Sequence, residues 1–239
     1  MAKRMKMTSC SDKKMPADIL PALEKNYARY WWEDSEDYEE AMKDPFKNLI
    51  FTLLSQNTSS ENTRRAYRGL KSNFTIEPQQ LLNADEEEIS RAIRPGGLHR
   101  IKAKRIKQIS RYVMEEFNGD LSWVFTMPKE SVRERIIKIP GIGYKTADVL
   151  LSSIHGQREA FVVDTHMARI AKRLGIVDKK AGYGEIQEKL KQFFPWEAIP
   201  KEKGERFVGL FWLLAKHTCS ARKPKCDKCI LNEICDKVI

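Results

Sequence analysis

Apolar residues recur along most of this chain at the three-to-four-residue spacing of helices that bury one face. Leu20, Leu23 and Tyr27 share one stripe within 19–30, and residues 46–55 (FKNLIFTLLS) are apolar on nearly every side, as in a buried central helix. Residues 62–73 are amphipathic, and 85–93 (DEEEISRAI) opens with acids that suit the positive end of a helix dipole. Pro95-Gly96-Gly97 then breaks the chain ahead of a basic helix over 100–117. Further helices are predicted at 129–137 and 144–155, on either side of a glycine-rich turn, and at 165–174, 182–194 and 203–216. The only strand-like piece is 160–163 (AFVV), too short to found a sheet, so the predicted fold class is all-α.

Composition narrows the partners. A chain of 239 residues with 41% hydrophobic positions holds one large domain or two compact lobes. No apolar run approaches the roughly 20 residues that span a bilayer. The basic start MAKRMKMTSCSDKKM has no apolar stretch after it, so no signal peptide is expected. An intracellular protein, cytoplasmic or nucleoid-associated and without a membrane partner, is expected. Net charge is +10, from 43 basic against 33 acidic residues. A surplus of that size fits a partner that carries phosphates, though solvated lysines alone would also produce it.

The segment 139–147 (IPGIGYKTA) sits between two predicted helices. Gly141 and Gly143 allow positive φ and close approach of the backbone to an outside group. Ile142 between them can plug into the crevice of the two helices. The turn thereby offers the N–H groups of a helix start, which bind a phosphate through backbone and dipole alone. A plain αα-turn is the bland alternative, set against the basic character of the chain.

Lys145 falls in the first turn of the second helix, where the helix dipole disfavours an ammonium and so favours a neutral, nucleophilic amine. A surface lysine bound to phosphate is the simpler reading. Asp164 opens Asp164-Thr165-His166 just ahead of a helix, which fits an N-cap. The same carboxylate could also stabilise oxocarbenium-like charge on a sugar. His166 reads as a helix-start or packing residue.

Cys10 stands alone in the N-terminal tail as an expected free thiol. The other four cysteines follow Cys219-x6-Cys226-x2-Cys229-x5-Cys235. In a reducing compartment that crowding fits a metal site better than a disulfide framework, and four thiolates suit either zinc or a [4Fe–4S] cluster. Only one C-x2-C knuckle is present, against the two that zinc ribbons pair.

Taken together, 139–149 (IPGIGYKTADV), 163–166 (VDTH) and the four cysteines resemble the endonuclease III family of helix-hairpin-helix DNA glycosylases, over most of the chain from Pro45 to Cys235. The resemblance implies a two-lobed helix-hairpin-helix glycosylase fold and a [4Fe–4S] cluster on Cys219, Cys226, Cys229 and Cys235. It implies that Lys145 attacks C1′ of the damaged nucleotide and that Asp164 assists, at a cleft between the lobes. Gly141, Ile142 and Gly143 would then hold the DNA backbone. A family glutamine that fills the place of the flipped base falls on Gln56, or on Asn57 in an ungapped reading. The loop at Leu98 and His99, with Arg100, Lys102, Lys104 and Arg105, resembles the family's second wedge-and-phosphate loop. Arg222, Lys223, Lys225 and Lys228 add cations around the cysteines.

The expected division is a tail and helix at 1–37, a helical lobe at 38–158 with the hairpin at about 130–155, and a C-terminal lobe at 159–239 with the cluster loop at 219–235. The expected activity is that of a monomeric bifunctional DNA glycosylase/AP lyase of base-excision repair. It would act on double-stranded DNA holding a damaged or mispaired base, oxidised pyrimidines first. A monofunctional glycosylase for thymine or uracil opposite guanine, and a non-enzymatic DNA-binding module with structural zinc, are the alternatives.

Overall fold

The structure is a computed structural model and describes residues 13–31 and 36–237. Cys10 and the basic N-terminal stretch lie outside the described residues. In chain order the helices among them are α1 (Ile19–Tyr27), α2 (Glu36–Lys43), α3 (Pro45–Ser55), α4 (Ser60–Asn73), α5 (Pro78–Asn83), α6 (Glu86–Ala92) and α7 (His99–Phe117). They continue as α8 (Lys129–Ile136), α9 (Tyr144–His155), α10 (Thr165–Leu174), α11 (Tyr183–Phe193) and α12 (Gly204–His217). No strand occurs among the described residues. The chain divides into two compact units, Glu33–His155 and Met1–Trp32 with Gly156–Ile239.

The Glu33–His155 unit, called here the hairpin unit, is organised around α3. Asp44 accepts the Lys47 N–H at 2.8 Å and Pro45 opens the first turn, so the helix starts with a side-chain cap and a preset φ. Leu49, Ile50, Leu53 and Leu54 are fully buried, and each such side chain stabilises by about 1.5–3 kcal/mol. Helices α2, α4, α7 and α9 pack around it. The one amide in this apolar helix is satisfied: Asn48 Nδ2 donates to Ser153 Oγ of α9 at 3.0 Å.

In the other unit, the cluster unit, α12 packs on α1 and α10, and α10 on α11. Phe161, Phe193, Phe194 and Phe211 meet at tilted or edge-on angles in its core. Residues 160–163 correct the strand reading: they run as irregular chain. Side chains take the place of a partner strand there. Gln157 Oε1 accepts the Val162 N–H at 3.2 Å, Gln187 Nε2 donates to the Phe161 carbonyl at 2.6 Å, and the Tyr183 hydroxyl accepts the Val163 N–H at 3.4 Å. Among the described residues no helix is long and apolar enough to cross a membrane.

Candidate active site and metal centre

In the hairpin unit, α8 and α9 are joined by the turn that the glycine pattern marks. Gly141 has φ +82°, a value that glycine adopts freely. Gly143 does not, which corrects the expectation of positive φ at both positions. Its surroundings explain the glycine differently: a Cβ there would meet nothing within 4 Å, so the space beyond it is open. Ile142 is buried, and its N–H donates to the Ile139 carbonyl at 3.0 Å. The Ala147 N–H reaches the Gly143 carbonyl at 3.0 Å, which closes the first turn of α9. Under the hairpin, Arg133 of α8 donates through Nε (2.9 Å) and Nη2 (2.7 Å) to Oδ1 of Asp148 on α9, whose side chain is fully buried. This pair fixes the two helices to each other.

Lys145 is exposed in the first turn of α9. Arg105 of α7 lies over the turn, with Nη1 3.0 Å from where a Cβ on Gly141 would stand.

The same unit brings the ends of α3 and of the loop before α7 near one buried group. Gln56 ends α3 and Asn57 is exposed with φ 55°. Leu98 caps α7 at φ 49° and is 51% exposed, beside Gly97 at φ 67°. His99 Nδ1 pairs with Ser90 Oγ at 2.8 Å. Arg100 and Lys104 are exposed. Lys102 is not: it is 3% exposed, and Nζ donates to the carbonyls of Leu54 at 2.8 Å and Gly96 at 2.9 Å. Grouping Lys102 with the solvated cations of this loop is corrected accordingly.

Asp164 belongs to the cluster unit. Its Oδ1 accepts the N–H groups of His166 (2.8 Å) and Met167 (2.9 Å), so it caps α10. Its Oδ2 accepts the indole N–H of Trp212 at 2.6 Å. Lys216 lies over the Trp212 ring, and the His166 ring meets it edge-on. Burial first, with Arg169 and Lys216 acting the same way, holds the His166 imidazole below the usual 6.5 against the pull of Asp164. Trp212 carries no local sequence signal, because an indole in an apolar helix reads as core.

Cys219, Cys226, Cys229 and Cys235 line one cavity together with Arg173, Thr218 and Asn232. Burial and the three neighbouring thiols push the Cys229 thiol up to about 11, and burial pushes Cys235 up as well. The N–H groups of Leu231 and Lys237 nonetheless donate to these two sulfurs, and Arg173 Nη1 to Cys219 Sγ at 3.4 Å. Arg173 also binds the carbonyls of Cys219, Ser220 and Ala221. Among the described residues no three or more His, Cys, Asp or Glu are gathered to hold a single metal ion. The Oδ1 of Asn232 is buried in this cavity without a partner. Four cysteines lining one cavity, two of them with backbone N–H donors to their sulfurs, fit an anionic thiolate-bound cluster. Bound there, it would tie Cys219, two residues past α12, to the rest of the C-terminal loop, so that binding energy becomes folding energy.

Two family models match the chain. Residues 50–195 match the HhH-GPD superfamily base excision DNA repair protein, and residues 219–235 the iron–sulfur binding domain of endonuclease III. Endonuclease III of Thermotoga maritima is 34% identical over 81% of this chain and 83% of its own length. The chain belongs to the endonuclease III family. Endonuclease III of Sulfolobus acidocaldarius is likewise 34% identical, over 80% of this chain and 81% of its own. A solved structure of a trapped endonuclease III–DNA covalent intermediate superposes with a TM-score of 0.68 at 25% identity, covering 94% of this chain and 97% of that one. The protein is a helix-hairpin-helix DNA glycosylase of base-excision repair, and a [4Fe–4S] cluster is its cofactor. The zinc alternative falls with that match.

Proposed function

We propose that this glycosylase is bifunctional: it flips an oxidised pyrimidine out of double-stranded DNA, excises it through Lys145 and cleaves the strand as a lyase. The observation that carries the reading is the exposed Lys145 in the first turn of α9, beside a turn open enough at Gly143 for a phosphate to approach. The solved relative trapped covalently with DNA supports a covalent route. Extruding the base costs a few kcal/mol, least for a damaged or mispaired one.

In the proposed reaction the Lys145 amine adds to C1′ while the glycosidic bond breaks and its electron pair leaves with the base, which takes up a proton. Asp164 stabilises the positive charge that builds on the sugar meanwhile. The bound amine loses one proton, and its lone pair forms the C1′=N bond of an iminium as the C1′–O4′ bond breaks and O4′ takes up a proton. Loss of a C2′ proton then breaks the C3′–O bond and releases the 3′ phosphate. The cluster takes no part in these steps. Gly141, Ile142 and Gly143 anchor the DNA backbone, while Gln56 or Asn57 and Leu98 fill the opened stack. The enzyme acts as a monomer.

Borohydride trapping on duplexes that each hold one lesion tests the reading. A covalent adduct with wild type, and none with Lys145→Ala, is expected. Base release without any adduct would make the enzyme a monofunctional glycosylase, and an adduct that survives Lys145→Ala would move the nucleophile elsewhere.

A further inference from the structure

Two exposed tips of the hairpin unit depart from ordinary backbone geometry. Asn57 follows the end of α3 with φ 55°, and Leu98 precedes α7 with φ 49°. Non-glycine residues occupy this left-handed region infrequently, and a leucine there is unusual enough to require a constraint from its surroundings. The constraint lies just beneath. Lys102 Nζ donates to the carbonyl of Leu54, three residues before Asn57, and to that of Gly96, two residues before Leu98.

Lys102 makes no ion pair among the described residues, and burial holds its amine below the ordinary lysine range. A buried cation without a counter-charge is a cost that an apolar side chain of similar length would avoid. Part of the cost is offset locally. The Leu54 carbonyl is among the last four of α3, which have no intrahelical partner and form the negative end of its dipole. Gly96 itself is packed so closely on α4 that a Cβ would stand 2.9 Å from that of Ala66, so its carbonyl is held toward the amine. One side chain thus joins two segments that are far apart in sequence.

We propose that Lys102 is a positioning residue that registers the Gln56–Asn57 and Gly97–Leu98 tips as one device for opening the duplex. The inference rests on the reading above that both tips meet DNA. A misplacement of about 1 Å in such a device costs up to about 100-fold in a step that depends on it.

The test compares wild type, Lys102→Met, Lys102→Arg and Leu98→Ala in two assays, with thermal melting as a check on folding. The first uses a duplex with an oxidised pyrimidine next to 2-aminopurine, whose fluorescence rises when the stack opens. The second is strand cleavage at an abasic site in single-stranded DNA, which needs no opening. Lys102→Met is expected to reduce duplex opening about tenfold while single-strand cleavage is unchanged. Lys102→Arg, whose guanidinium can still donate to both carbonyls, is expected to restore most of the opening. Wild-type opening by Lys102→Met, or equal losses in both assays, would overturn the proposal. If Leu98→Ala opens the duplex normally, the reading of the tips fails; if it alone loses opening, only the role of Lys102 fails.

Discussion

Helices α9 and α10 begin in opposite ways. The start of α9 is left to the outside: Lys145 is exposed, and nothing stands within 4 Å of where a side chain on Gly143 would begin. The start of α10 is closed by the chain itself: one oxygen of Asp164 takes two backbone N–H groups and the other takes the Trp212 indole. An open start can accept a phosphate and leaves an amine free to move toward a sugar. A closed start holds a carboxylate fixed in direction. A nucleophile and a charge stabiliser need those two different mountings.

The contrast can be broken from either side. Asp164→Asn keeps the cap, since asparagine caps about as well as aspartate, but removes the charge and the acceptor of the Trp212 indole. Base release should fall about 100-fold with DNA affinity nearly unchanged and melting temperature lowered only by the loss of that one bond. A loss of melting temperature alone would leave Asp164 as a cap and nothing more. Trp212→Phe keeps the ring under Lys216 and removes only the N–H donor to Oδ2. Losing one hydrogen bond to a charged group, worth about 1.5 kcal/mol, should slow base release about tenfold. Unchanged base release would show that the indole only packs.

At the open start, Gly143→Ala should leave the melting temperature unchanged and weaken DNA binding severalfold, about 1 kcal/mol of a charge-assisted contact. Gly141→Ala should instead cost about 1–2 kcal/mol of stability, because its φ of +82° is strained for any side chain. Equal DNA affinity in wild type and Gly143→Ala would remove the phosphate from that position. The smallest effect concerns His166. Its folded pKa lies below 6.5, so its stabilising contribution is present above pH 6.5 and is lost as pH falls through the lowered value. His166→Gln should lose less melting temperature than wild type between pH 7 and pH 5; an equal loss would place the acid sensitivity elsewhere.

Much of the fold was legible because its helices carry their own signals. The apolar run of α3, the acids opening α6 and the glycine turn before α9 are all local. Helices α2 and α5 were not anticipated. Within α2 only Ala41 is buried, and α5 has six residues, so neither shows a full apolar stripe. Residues 160–163 look like a strand in composition, yet their backbone partners are the side chains of Gln157, Tyr183 and Gln187. The cluster loop was readable from the three spacings between its four cysteines, since its chemistry depends on residue type alone. Lys102 and Trp212 were not readable as more than a basic-helix lysine and a core indole. What sets them apart is a long-range contact, to Leu54 for the one and to Asp164 for the other.

The central claim is that the exposed amine at the start of α9 is the nucleophile. The most direct measurement is peptide mapping by mass spectrometry of the borohydride-reduced protein–DNA adduct, after nuclease and protease digestion. The account predicts that the residual sugar mass sits on the peptide containing Lys145, at that lysine. The same mass on another lysine, or no adduct under conditions where the base is released, would contradict it.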